Sequence, residues 1–101
     1  MKKLQEEIIE FRNKRGWDEV HQEKDLALSI VLESSELLEL FQWKSSEEAV
    51  KQNKQEMKDE MADVLIYLIQ LASKLEIDLE EAAKNKMKKN AIKYPEPASL
   101  R

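Results

Sequence analysis

Apolar residues recur along the chain with a helical period and never with the alternation of a strand. Residues 26–43 read LALSIVLESSELLELFQW. At about 100° per residue, Leu26, Ile30, Leu37 and Phe41 fall on one stripe, which predicts a helix over 26–43. Two charges sit oddly on it. Glu33 lies inside the edge of the apolar arc, close to Leu26 and Leu37, and Glu36 lies just beyond, with Leu40 between them. A carboxylate at a core edge costs free energy unless it is paired, protonated or bound to a metal.

The same reading places three more helices. Leu4, Ile8 and Phe11 give a narrow apolar face over residues 3–14, and Gly16 supplies a stop signal. Met57, Met61, Val64, Leu65, Leu68, Ala72 and Leu75 give a wide one over residues 47–75, whose polar opening is expected to start irregularly. Ala82, Ala83 and Met87 mark the last, over residues 79–94, closed by Pro95 and Pro97. Asp25 is the expected N-cap of the second helix. Ser45 with Glu48 and Asp78 with Glu81 form capping boxes for the third and fourth. Residues 17–24, WDEVHQEK, show no period and read as a loop. The expectation is an all-α fold with a four-helix core, one domain over residues 1–95 and a short disordered tail over 96–101.

Composition narrows the chemistry. The chain has 101 residues, one Gly, two Pro and no Cys, which removes disulfides and thiolate metal sites. A helical chain this short is expected to complete its core by oligomerising into a shared bundle. Its apolar N-terminal run is broken by acids, so neither a signal peptide nor a membrane span is expected, and a cytoplasmic location fits the lack of Cys. With 38% charged residues and a net charge of −4, a nucleic-acid partner is not expected. A phosphorylated small molecule remains open, provided a cation neutralises it.

The long third helix repeats the anomaly of the second. Glu56, Glu60, Asp63 and Tyr67 make a polar stripe, and Glu60 borders Val64 and Leu71. Each helix thus offers an acidic pair at i, i+3: Glu33 with Glu36, and Glu60 with Asp63. Antiparallel packing would bring four carboxylates together. They could not all stay ionised without a counter-charge, and an all-oxygen donor set suits Mg²⁺ or Mn²⁺. One such pair says little, since about four arise by chance among this many acids. Glu7 with Glu10 is another.

The sequence E-S-S-E at residues 33–36, followed after 23 residues by E-M-A-D at 60–63, resembles the E-x-x-E…E-x-x-D signature of the MazG-like all-α nucleoside triphosphate pyrophosphohydrolases. ELLELFQW (36–43), DVLIYLIQLA (63–72), K-M-x-x-N-x-x-K-Y-P (86–95) and GW-x-x-x-HQ (16–22) are similar to the dCTP pyrophosphatase branch of that family. The match runs from about Phe11 to Pro95. It implies a MazG-like helical domain with Mg²⁺-dependent hydrolysis of a (deoxy)nucleoside triphosphate between the α and β phosphates, giving the monophosphate and pyrophosphate. The expected substrate is dCTP or a modified deoxynucleotide, in nucleotide-pool house-cleaning. The alternatives are dUTP or phosphoribosyl-ATP hydrolysis on the same scaffold, or a non-catalytic helical interaction module.

The resemblance carries metal binding onto Glu33, Glu36, Glu60 and Asp63, with Glu36 and Glu60 as the catalytic carboxylates and Glu36 a candidate for the group that takes the proton. It implies a homodimer or a dimer of dimers. Trp17 and Trp43 would wall the base pocket, although Trp43 read alone is a core anchor at a helix end. His21 would contact phosphate or sugar, or else be an exposed loop residue. The Tyr67 hydroxyl would orient a carboxylate or phosphate. Lys86 and Asn90, one helical turn apart, with Tyr94 a further turn on, would complete the substrate contacts. In animal dCTP pyrophosphatases the first helix carries a His near the base, where this chain has Ile8. An apolar side chain cannot repeat that hydrogen bond, which leaves the preferred base open.

Overall fold

The structure is a computed structural model that describes residues 1–97. Most of the expected disordered tail, residues 98–101, lies outside the described residues. The fold is all-α. In order the helices are α1 (Lys2–Lys14), α2 (Trp17–Val20), α3 (Glu23–Glu39), α4 (Ser46–Lys74) and α5 (Leu79–Lys93). Among the described residues there is no strand, and no helix is long and apolar enough to cross a membrane.

The one added element is α2, where the sequence reads as a loop. Gly16 takes φ 68°, a left-handed conformation that costs a glycine little. The chain turns there, and His21 N donates to the Trp17 carbonyl at 2.9 Å to close a single helical turn. A four-residue helix is too short to show a period. α3 also starts earlier than expected. Asp25 accepts from Gln22 N at 3.0 Å, so it serves from the N3 position while Gln22 is the N-cap.

At its other end α3 stops at Glu39, short of Trp43. Leu40, Phe41 and Gln42 donate to the carbonyls three residues back, which tightens the turn. Trp43 then ends it at φ 63°.

At Ser45 and Asp78 the N-cap bond of each expected capping box forms, without the return bond from the glutamate side chain. Ser45 accepts from Glu48 N at 3.2 Å and Asp78 from Glu81 N at 3.1 Å. The polar opening of α4 is helical, with one break at Asn53 (φ −123°, ψ 20°). Its side chain donates to the Leu40 carbonyl at 3.0 Å, satisfying a carbonyl that the end of α3 would leave bare.

α3 and α4 form the main packing unit, α1 lies on α4, and α2 lies on α1. The buried apolar side chains are Ile8, Leu26, Ala49, Met57, Ile69 and Ala72. On α1 the buried face runs through Ile8 and Arg12, while Leu4 and Phe11 are exposed, so the expected stripe is rotated. The cause is Arg12, whose guanidinium turns inward to partners on α2 and α4. Part of the expected apolar surface stays open, at Met61 and Leu68 on α4, Leu75 at its C-cap and Met87 on α5, and further exposed apolar side chains lie outside the expected stripes: Leu28, Val31, Leu32 and Leu38 on α3 and Ile92 on α5. The radius of gyration is 17.1 Å. A compact globule of this length has about 13 Å.

Candidate active site

The Glu33–Glu36 pair of α3 meets Glu60 of α4 where the two helices cross, and Asp63 stays outside this close group. The register follows from two contacts. Asn53 bonds Leu40 near the connecting turn, and seven residues farther along each helix Glu60 meets Glu33. The chain therefore runs antiparallel, and each helix turns its acidic edge toward the other. One carboxylate oxygen from each of Glu33, Glu36 and Glu60 lies within 4.8 Å of the others. Asp63 is half-buried on the next turn of α4, and its charge acts on both Glu33 and Tyr67.

Three acids this close cannot all ionise. A hydrogen bond shared with Glu33 is the main reason that Glu60 is pushed up to about 7, with burial and the charge of Glu36 adding to it. The same bond pulls Glu33 down, but burial and the neighbouring Glu36 and Asp63 outweigh it, and Glu33 also ends above the usual range. Ionisation of both members of the Glu33–Glu60 pair is thus disfavoured. Burial pushes the Tyr67 hydroxyl up as well, helped by the charges of Glu33, Asp63 and Glu36. Tyr67 therefore lies in the field of the acids, as its place on the stripe predicts.

Sharing one proton does not satisfy the cluster. Glu33 Oε2 and Glu60 Oε2 are each buried without a partner. Three closely spaced carboxylates, two of them with a buried oxygen that lacks a donor and with no nitrogen or sulfur among them, fit a hard divalent cation. Glu36 is exposed and keeps the cluster open to solvent on one side.

The other sequence-derived residues are spread out. Trp17 and His21 lie together, their rings 6.0 Å apart at 41°, and the Phe11 ring meets Trp17 edge-on at 5.7 Å. The Arg15 guanidinium sits 3.3 Å over the Phe11 ring. Trp43 is 93% exposed, so within this chain it is neither a core anchor nor enclosed as a pocket wall. On α5, Lys86 is exposed and Asn90 is half-buried, and Tyr94, at the C-cap, is exposed. Among the described residues, no hydrogen bond or ion pair links these three to the acids.

Two features escape the sequence reading. The first is a clamp on α2: Asp18 Oδ1 lies 3.3 Å from Arg12 Nη1 and 3.2 Å from Lys74 Nζ, and Lys74 also donates to the Asp18 carbonyl at 2.7 Å. Arg12 is buried and also reaches Ser73 Oγ at 3.4 Å. The spacing of Ile8 and Arg12 at i, i+4 is the signal for an inward Arg. The second is Gln70, fully buried on α4. It follows Asp63 and Tyr67 at helical spacing, and that continuation of the polar stripe was legible.

The model of the MazG-like family matches residues 28–100. The chain is similar to dCTP pyrophosphatase 1 of Mus musculus, 42% identical over 91 residues that cover 85% of this chain and 54% of that protein. The Homo sapiens protein of the same name is 41% identical over the same shares. The chain thus spans about half the length of these curated relatives. A crystal structure of a pyrophosphatase from Archaeoglobus fulgidus superposes with a TM-score of 0.88 at 48% identity, over 95% of this chain and 93% of that one.

Proposed function

The chain belongs to the MazG-like family, and from that premise we propose that it hydrolyses a nucleoside triphosphate between the α and β phosphates, releasing the monophosphate and pyrophosphate. The observation that supports this most is the pair of buried, partnerless oxygens on Glu33 and Glu60, within 4.8 Å reach of Glu36. Glu33, Glu36, Glu60 and Asp63 would hold Mg²⁺, with Mn²⁺ as a substitute of the same hardness. When bound, the cation supplies neutralisation of the triphosphate charge and activation of water.

The chain's own groups do the rest. Glu60, which holds a proton near neutrality, would release it as the cation enters. Exposed Glu36 would take the proton of the attacking water. The Tyr67 hydroxyl, kept protonated, is available to donate to a carboxylate or a phosphate oxygen. Trp17 and His21 would flank the base end, and Trp43 would stack from the end of α3. Lys86, Asn90 and Tyr94 would serve as phosphate and sugar contacts.

The open apolar faces of α3 and α4, and a radius of gyration well above that of a compact globule, support a homodimer or dimer of dimers. In such a bundle α5, which buries nothing of its own, would reach a neighbouring site. The names of the curated relatives favour dCTP among substrates. The test is incubation with the four common deoxynucleoside triphosphates and Mg²⁺, resolving products by chromatography. Pyrophosphate and a monophosphate are expected. Release of orthophosphate, or no release at all, would overturn the reading. Sedimentation equilibrium tests the assembly, and a monomer at micromolar concentration would remove it.

A further inference from the structure

α3 has two apolar faces. The first, through Leu26, Ile30 and Leu37, is turned to α4. The second runs through Leu28, Val31, Leu32 and Leu38, nearly opposite on the helical projection, and these four side chains are between 53% and 71% exposed. Ser35 lies among them. Its hydroxyl donates to the Val31 carbonyl at 3.0 Å, so its polar atom is already bonded within the helix. A contiguous apolar face of this kind marks a surface that something covers.

Two features of the face fit a second copy of α3. The first is shape. Ser35, Leu38, Glu39 and Gln42, with Phe41 alongside, line a cleft of about 400 Å³. The four stand at i, i+3, i+4 and i+7, the arrangement of a hole that takes an apolar knob from a facing helix. The same stripe supplies the knob. In an antiparallel copy with a two-fold axis at the level of Glu33, Leu28 falls over that hole, and Val31 and Leu32 fall over the small Ser35. The second feature is charge. Lys24 in the first turn of α3 and Glu39 in the last are exposed, and neither has an ion pair among the described residues. Each opposes the helix dipole, which favours acids at the N-terminus and bases at the C-terminus. Antiparallel pairing offsets both, because it sets the Lys24 end of one α3 beside the Glu39 end of the other.

We propose that a second copy of this chain covers the outer face of α3, antiparallel and related by a two-fold axis, with Leu28 of each copy seated in the Ser35–Gln42 cleft of the other. This rests on the assembly reading above and names its face. It is independent of the triphosphate chemistry. Glu36 follows Leu32 at i, i+4, so the open side of each acidic cluster borders the seam.

The experiment is sedimentation equilibrium of the full chain across micromolar concentrations. Val31→Glu enters a symmetric seam twice, and it should weaken association by about a hundredfold or more, or halve the assembly where the wild type is a dimer of dimers. Lys24→Glu and Glu39→Lys should each weaken it by about tenfold, while the double variant, with both charges reversed, should return to within about threefold of the wild type. A role in the helix dipole alone would give no weakening, since each single variant improves its own helix end. Circular dichroism checks the fold, and the charge variants carry the test if Val31→Glu does not fold. An assembly unchanged by Val31→Glu, or a double variant as weak as the singles, overturns the α3 seam and leaves assembly through another face. A monomeric wild type overturns the seam and the assembly reading together. Pyrophosphate release, measured separately, decides the hydrolase reading.

Discussion

The acidic crossing of α3 and α4 and the clamp at the foot of α2 are built from the same parts. Each gathers charged side chains from different helices. In the clamp, Asp18 meets Arg12 and Lys74, and Arg12 has further acceptors in Asn13 and Ser73. At the crossing, Glu33, Glu36 and Glu60 meet only each other, and two oxygens have no partner. Charges paired within the chain hold elements in place. Charges of one sign, held together by packing and left unpaired, cost stability and await something from outside. The charges of the clamp are thus matched within the chain, and those of the crossing are not.

The crossing differs from the clamp above all in its expected response to a divalent cation. Mn²⁺ at a hundred times its Kd should stabilise the chain by about 2.7 kcal/mol, read as a rise in melting temperature. Glu60→Gln and Glu33→Gln should each lose that rise and lower turnover by about a hundredfold or more, with helicity by circular dichroism intact. Without metal the same variants should be no less stable than the wild type, because each replaces a carboxyl group whose ionisation the crowded cluster disfavours. Equal Mn²⁺ stabilisation in Glu60→Gln would show that the unpaired oxygens are not ligands.

The clamp should answer in the opposite way. Arg12→Ala removes a buried guanidinium and releases α2, at a cost of about 2 kcal/mol in chemical denaturation. Asp18 is half exposed, which keeps its share of that figure small. Mn²⁺ affinity should not change. A clamp variant that lost the metal response would merge the two regions into one unit.

A smaller effect is the pH dependence of the apo chain. Glu60 is pushed from 4.5 to about 7 by folding. Between those values the folded chain holds a proton that the unfolded chain has released, so stability falls as pH rises across that window and levels off above it. Glu33, raised in the same direction, adds to the slope. Melting temperatures from pH 4.5 to 8 should therefore decline without metal. With Mn²⁺ the decline should shrink or reverse, since cation and proton compete. Glu60→Gln should flatten the apo curve, and an unchanged slope would mean that the shared proton lies elsewhere.

How far each region could be read from sequence follows from its physics. Glu33 was visible because a charge inside an apolar arc contradicts a period set by many residues. The caps at Ser45 and Asp78 are local bonds, fixed by residues three apart. The α3–α4 register needed only the assumption of an antiparallel pair. The Arg12–Asp18–Lys74 clamp depends on one left-handed glycine turning a single helical turn onto α1, and no period records that. The exposed face of Trp43 was equally hidden. Helical projection continues a helix through residue 43, whereas the i→i+3 bonds at residues 40–42 end it earlier.

That tryptophan gives the smallest and most specific test. The clamp side of the molecule places glycine at its left-handed position, Gly16 at φ 68°. The crossing side places Trp43 at φ 63°, and Glu76 at φ 55° follows α4. A side chain in this region costs about 1 kcal/mol, which glycine avoids at some expense in unfolded-state entropy. Trp43→Gly and Glu76→Gly should therefore both stabilise the chain, by up to about 1 kcal/mol in urea denaturation. Their nucleotide behaviour should differ. If strain at Trp43 is retained to present a ring to a base, its loss should raise KM by about tenfold, matching a stacking contribution of about 1–3 kcal/mol. Glu76→Gly should leave KM alone. An equal gain in stability with no change in KM for either variant would reduce Trp43 to a strained helix end. It would also confine the cost carried for a ligand to the carboxylates themselves.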